Sequence, residues 1–190
     1  GGYTAVTLAA QRNDAASIAM LAKLGADLDA RDDNGAAPLH HAAFENAVDA
    51  IGALLDAGCD PNVQDDRDGS TAAILAAFGM RRAALNALID RHPAVGLTLR
   101  DVGHATVAGH CAQRGLRDEL VKILVLCGPG GASRMRRGQK DYLAKKAQLT
   151  GQFEVLTDDQ LREVARSWRA RLQGDDDRKA VIVKLLQATP

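Results

Sequence analysis

Few residues in this chain could do chemistry, and their spacing argues against most of it. His40 and His41 are the one adjacent histidine pair, and the three cysteines, Cys59, Cys111 and Cys127, stand far apart. A zinc site needs Cys and His clustered at short spacing, and a disulfide framework needs an even, patterned set. Neither is present. No metal, no cofactor and no catalytic residue is therefore expected, and the chain reads as non-enzymatic. The cysteines suit a reducing, cytoplasmic compartment, with Cys111 and Cys127 as small core residues. Asp175-Asp176-Asp177 could hold a cation, but acids at a helix start are the commoner use of such a run. No Gly-x-x-x-x-Gly-Lys-Ser/Thr phosphate loop occurs, so no ATP hydrolysis is expected. Arg134, Arg136, Arg137, Lys140, Lys145 and Lys146 form a basic strip that could meet an acidic membrane surface or nucleic acid. A solvated helix face is the simpler reading. Nucleic acid is not the expected partner, and a membrane surface could be met only through 134–149.

The elements that carry these residues follow from composition and pattern. The 190 residues hold 24 basic and 24 acidic side chains, a balance that conceals an asymmetry. Residues 1–130 carry 11 Lys/Arg against 16 Asp/Glu, and residues 131–190 carry 13 against 8, which points to two parts of different character. At 46% hydrophobic the chain is not disordered. Its longest apolar run, Ala72 to Phe78, is too short to span a bilayer, and no signal peptide opens it. Aromatics make up only 3% and alanine is abundant, a composition that favours packed helices over strands.

Glycines recur at Gly2, Gly35, Gly69 and Gly103. The segments they open read Gly-Tyr-Thr-Ala-Val-Thr-Leu-Ala-Ala (2–10), Gly-Ala-Ala-Pro-Leu-His-His-Ala-Ala (35–43) and Gly-Ser-Thr-Ala-Ala-Ile-Leu-Ala-Ala (69–77). Leu24-Gly25-Ala26-Asp27 and Ala57-Gly58-Cys59-Asp60 close the first two units. Thr4 and Thr71 can cap helix starts, and Pro38 suits a first helical turn. Ala42, Ala43, Ala76 and Ala77 allow close helix approach. Val48, Ile51, Leu54 and Leu55 form an apolar stripe, with Ile18, Leu21 and Leu24 in the same role one unit earlier. Gly25 and Gly58 fit the left-handed residue that ends a helix.

This pattern resembles the ankyrin repeat, with its turn glycine, Thr-Pro-Leu-His-x-Ala-Ala run, Leu-rich helix and Gly-Ala-Asp. The resemblance covers about residues 2–128 and implies an all-α helical solenoid of about four helix-loop-helix units, near 2–34, 35–68, 69–102 and 103–128. The chain departs from the pattern at Ala5 and Thr7, at Arg91-His92-Pro93-Ala94 and at Gly109-His110-Cys111-Ala112. It starts on a unit boundary, so further units upstream are expected. The resemblance also implies that His40 hydrogen-bonds backbone between units. It further implies that the module, a scaffold for protein–protein interaction, binds a protein partner through its concave face. Carried over by position, that face comprises Tyr3, Gln11, Arg12, Asp33, Asn34, Phe44, Glu45, Arg67, Asp68, Phe78 and His104. Phe44 and Phe78 should stand side by side as aromatic anchors. The loop acids Asp32, Asp33, Asp65, Asp66 and Asp68 would add a negative rim that suits a basic partner.

Gly128-Pro129-Gly130-Gly131 reads as a hinge, near 129–133. Beyond it a basic helical extension of about three helices spans 134–190. The first covers 139–149. The second opens with the capping box Thr157-x-x-Gln160, presents Leu161, Val164, Ala165, Trp168 and Leu172, and ends at Gly174. The third buries Val181, Ile182, Leu185 and Leu186. Within 134–174, Phe153-Glu154-Val155-Leu156-Thr157-Asp158-Asp159-Gln160-Leu161 and Trp168-Arg169-Ala170-Arg171-Leu172-Gln173-Gly174 resemble the N-terminal segment of the SecA translocase motor. That resemblance implies an alternative: the partner- or cargo-recruiting front of a larger SecA-like ATP-driven motor, with no ATP site in these residues.

Overall fold

The structure, a computed structural model, describes residues 1–91, 96–132, 151–168, 178, 181, 182, 184 and 185, and contains no strand among them. The chain divides into two compact bodies, Gly1–Val107 and Ala108–Pro190.

The first body is built from helix pairs: α1 (Ala5–Gln11) with α2 (Ala15–Lys23), α3 (Pro38–Phe44) with α4 (Val48–Asp56), and α5 (Ala72–Phe78) with α6 (Arg82–Arg91). The inner helices α1, α3 and α5 pack in one row, and the outer helices α2, α4 and α6 in another. Seven-residue helices are too short to persist alone in water, so their ends and flanks must be held by neighbours. The ends are held by named side chains. Thr4 Oγ1 accepts from Thr7 N–H and Thr71 Oγ1 from Ile74 N–H, while Pro38 occupies the first turn of α3. The flanks close because Ala42, Ala43, Ala76 and Ala77 are wholly buried, letting backbones approach over Ile18, Ile51, Leu54, Leu85 and Leu88. Leu24, read above as part of the α2 stripe, instead caps that helix and is exposed. It falls past the last turn, where the chain swings away at left-handed Gly25.

Each inner helix ends on a left-handed residue: Asn13, Asn46 and Met80, with φ of 56°, 59° and 55°. Asparagine tolerates this region, and here it also serves the next unit. Asn13 Oδ1 accepts from Ala50 N–H at the start of α4, and Asn46 Oδ1 accepts from Ala84 N–H at the start of α6, both at 2.9 Å. Met80 has no such oxygen and stays more than half exposed in a conformation that its side chain disfavours.

The fourth unit corrects the glycine register. Its left-handed turn residue is His104 (φ 61°), three residues before α7 (Val107–Arg114), as Gly2, Gly35 and Gly69 are three residues before α1, α3 and α5. Gly103 therefore lies one residue short of the repeat position. The likeness of its spacing to the other units reflects a loop one residue longer, not an equivalent turn.

In the second body, α7 turns at left-handed Gly115 into α8 (Arg117–Ala132). Where a hinge was expected, at Gly128-Pro129-Gly130-Gly131, this helix continues. Buried Leu120, Val121, Ile123 and Leu124 anchor it upstream and carry it through residues of poor helix propensity. Helix α9 (Asp158–Ser167) starts on the expected capping box: Thr157 Oγ1 accepts from Gln160 N–H, and Gln160 Oε1 from Thr157 N–H. Phe153 meets Trp168 edge to face at 5.8 Å, and the indole N–H donates to Leu124 O at 2.8 Å. Arg178 bonds Asp158 and the carbonyls of Glu154 and Leu156, beside buried Val181, Ile182 and Leu185. The expected helix 139–149, the basic strip Arg134, Arg136, Arg137, Lys140, Lys145 and Lys146, Leu172 to Asp177, and Leu186 lie outside the described residues. Among the described residues, no helix is long and apolar enough to cross a membrane.

Two substitutions separate the roles of the left-handed residue. Met80→Gly removes side-chain strain and should stabilise the protein by about 1 kcal/mol, whereas Asn46→Ala should cost about 1–2 kcal/mol by losing both the conformation and the cap. Urea unfolding of both variants against the parent checks the opposite signs.

Candidate functional site

The loops between units are held by one acid each. Asp32 N–H donates to Ala36 O, and its Oδ1 accepts from Asn34 N–H and Ala36 N–H. Asp65 does the same with Ser70 O, Asp68 N–H and Ser70 N–H, and Asp101 with Ala105. The residue before each acid braces the turn. Arg31 donates to Gly35 O, Gln64 to Gly69 O and Arg100 to His104 O. Two of these side chains also reach the next loop, Arg31 to Gln64 O and Gln64 to Arg100 O. Backbone bonds return in the opposite direction, from Asp66 N–H to Asn34 O and from Val102 N–H to Asp68 O. Gly35 (φ 72°) is required by this approach, since a Cβ there would come within 2.8 Å of Asp66 N.

The negative rim is therefore smaller than the sequence suggested. Asp32 and Asp65 are buried and consumed by their own loops. Asp33 pairs with the Gly1 amine, and Asp66 with Arg31.

The two histidines have distinct duties. His40 is buried, with Nδ1 accepting from Ala37 N–H and Nε2 facing Ser70 O at 3.0 Å, so Nε2 carries the proton and ties unit two to unit three. Burial holds this ring below the ordinary histidine range, against the opposing pull of its hydrogen bonds. His41 Nε2 donates to Asp32 Oδ2 at 2.9 Å, Gln11 Nε2 donates to His41 Nδ1, and Tyr3 stands edge-on to the imidazole at 5.2 Å. Burial alone would raise the Asp32 carboxyl, but Ala36 and Asn34 N–H and the His41 ring hold it below the usual carboxylate range. Neither histidine stands beside a nucleophile in these contacts, and burial lifts the Cys59 thiol to about 12, far from reactivity at neutral pH.

The expected face residues fall on two strips of the first body. Gln11, Phe44 and Phe78 occupy one repeat position, the last residue of each inner helix. The two rings are 55% and 52% exposed. Arg12 and Glu45 follow at the caps and are exposed, while Gln11 is half-buried against His41. Asp33, Asn34, Arg67, Asp68 and His104 stand exposed on the loops, and Tyr3 is exposed but leans on His41 rather than on a phenylalanine. Two neighbours were not anticipated. Arg81 Nε donates to Phe44 O at 2.9 Å with its guanidinium 5.9 Å from the ring centroid, and Met80 lies two residues beyond Phe78, exposed. Aligning Met80 with Asn13 and Asn46 would have flagged it as the odd member of its position.

Residues 1–65 match the family model for ankyrin repeats (3 copies). A stretch of 52 residues is 46% identical to ankyrin repeat protein nuc-2 of Neurospora crassa, covering 27% of this chain and 5% of that protein. The chain thus spans a small fraction of the length of that relative. The all-α repeat solenoid read from the sequence is the fold found here. The family match ends at residue 65, so the SecA resemblance of 134–174 rests on its motif alone. The described residues of that motif have local duties: Phe153, Leu156 and Leu161 are core, and Thr157 is a cap.

His40 sets a pH dependence. Its folded-state affinity for a proton is lowered, so below about pH 6.5 the unfolded chain takes up a proton that the fold refuses. Stability present at neutral pH should therefore fall as pH drops below that value. Urea midpoints at pH 7.5 and 5.5 should show the drop, and His40→Asn should reduce it.

Proposed function

We propose that this protein is a non-enzymatic recognition module that holds a protein partner on the face formed by the inner-helix ends and loop tips. Ankyrin repeats generally serve protein–protein interaction, which supports the coarse reading. One observation carries the finer one. Two of the chain's three phenylalanines are left half in water at one repeat position, while the third, Phe153, is wholly buried. Exposing apolar rings costs free energy that a core position would recover, and aromatic side chains with an arginine beside them suit interface anchoring.

The partner on this reading presents an apolar surface to Phe44 and Phe78, with polar groups facing Arg12, Glu45, Arg67, Asp68 and Arg81. Strong electrostatic steering of a basic partner has little support, since most of the expected acids are already paired. The three cysteines are free thiols, which suits a reducing, cytoplasmic setting.

The test begins with affinity capture on the purified protein and identification of what binds. Phe44→Ala and Phe78→Ala should each leave the unfolding midpoint nearly unchanged and weaken the captured partner by about 2 kcal/mol or more. Titration with equal affinity for parent and both variants would place the binding surface elsewhere.

A further inference from the structure

Arg81 stands where an arginine works against the helix it precedes. Its carbonyl accepts the first bond of α6, from Leu85 N–H, as Asp14 and Ala47 accept from Ile18 and Ile51 at the starts of α2 and α4. Arg82 follows as the first residue of α6, and no acid lies in that first turn. Cations at a helix N-terminus oppose its dipole. The side chain is nevertheless held in place. Its stem crosses Gly79, which takes the position of Arg12 and Glu45 at the end of an inner helix. A Cβ at Gly79 would lie 3.4 Å from Arg81 Cγ and 3.7 Å from Nε. Nε donates to Phe44 O at 2.9 Å, and the guanidinium stands 5.9 Å from the Phe44 ring centroid. Arg81 is exposed, and its Nη1 and Nη2 have no hydrogen-bond partner among the described residues.

An arginine fixed through Nε keeps the Nη1–Nη2 edge of its fork, and a planar carboxylate matches that edge with two parallel bonds. The surrounding charges favour the same ligand. The Asp14 carboxylate is taken by Ser17, and Asp49 accepts from Asn13 Nδ2. Glu45 remains as the acid of this strip, against Arg12, Arg81 and Arg82. We propose that Arg81 selects the partner: it receives an Asp or Glu carboxylate of a protein segment whose neighbouring apolar side chains rest on Phe44 and Phe78. This inference rests on the face described above and adds the charge of its occupant, which is acidic where the loop acids had suggested a basic one. A phosphate group would need donors for three oxygens, and the free edge of one fork serves two.

A random peptide library displayed on phage and selected on the full chain supplies the probe. Selected sequences should carry Asp or Glu beside Leu, Ile or Phe. The strongest, made synthetically, should bind Arg81→Gln about tenfold or more weakly than the parent. Replacing its acid by the amide should cost the parent the same factor and cost Arg81→Gln nothing further. Arg81→Lys, which keeps the charge and loses the fork, should recover little. The unfolding midpoint of Arg81→Gln should be no lower than the parent's, which separates lost binding from lost folding. Peptides that fail on Phe44→Ala but bind Arg81→Gln as they bind the parent would overturn the carboxylate assignment and leave the face standing. Peptides indifferent to both variants would overturn the face as well. Selection of basic or uncharged segments, or of none, would overturn the assignment, and so would about tenfold tighter binding with phosphoserine in place of the acid.

Discussion

No helix pair in the N-terminal body can satisfy itself. Each leaves an apolar side and several backbone groups that only an adjacent unit can cover, and this dependence organises everything else. The ties that cross between units recur at spacings close to one repeat: Asn13 to Ala50, Asn46 to Ala84, His40 to Ser70, Arg31 to Gln64. They are regular in sequence, although not every unit supplies each of them: Met80 stands where Asn13 and Asn46 give a cap, and Gln64 where Arg31 reaches the next loop. Alanine at the meeting points keeps the helices close enough for these bonds to form.

Much of this was legible in the sequence because it depends on residue type at fixed spacing. The turn glycines, the Thr4, Thr71 and Thr157 caps, the Pro38 turn and the buried alanines all announce themselves locally. What was not legible depended on partners distant in sequence. A run such as Asp65-Asp66-Arg67-Asp68 shows charge, but not that Asp65 is wrapped by its own loop and Asp66 paired with Arg31. The helix through Gly128–Gly131 was hidden because packing upstream overrides a poor local propensity. The fourth turn was misplaced because a histidine took the left-handed position that glycine fills elsewhere. At the face, the register of Phe44 and Phe78 could be read directly. Arg81 over Phe44 could not, because it arrives from the following unit.

The same dependence explains which residues the stack leaves unused. Asp32 and Asp65 hold their own loops, Asp66 meets Arg31, and His40 and His41 tie adjacent units, which leaves exposed the side chains that the repeat does not need. Phe44, Phe78 and Met80 belong to that set, and Met80 stands where its counterparts are capping asparagines. A position that gives up a cap and accepts strain is a place where stability and function can pull apart. The second body follows different rules, with Trp168 and Phe153 at the centre of an ordinary helical core.

The central claim is that the inner-helix ends, not the outer helices, meet the partner. Hydrogen exchange of the captured complex against the free protein measures this most directly. The account predicts slowed exchange at residues 44–46 and 78–82 and at the loop tips near 33–34 and 67–68, with α2, α4 and α6 unchanged. Slowed exchange confined to the outer helices or to residues 151–168 would contradict it.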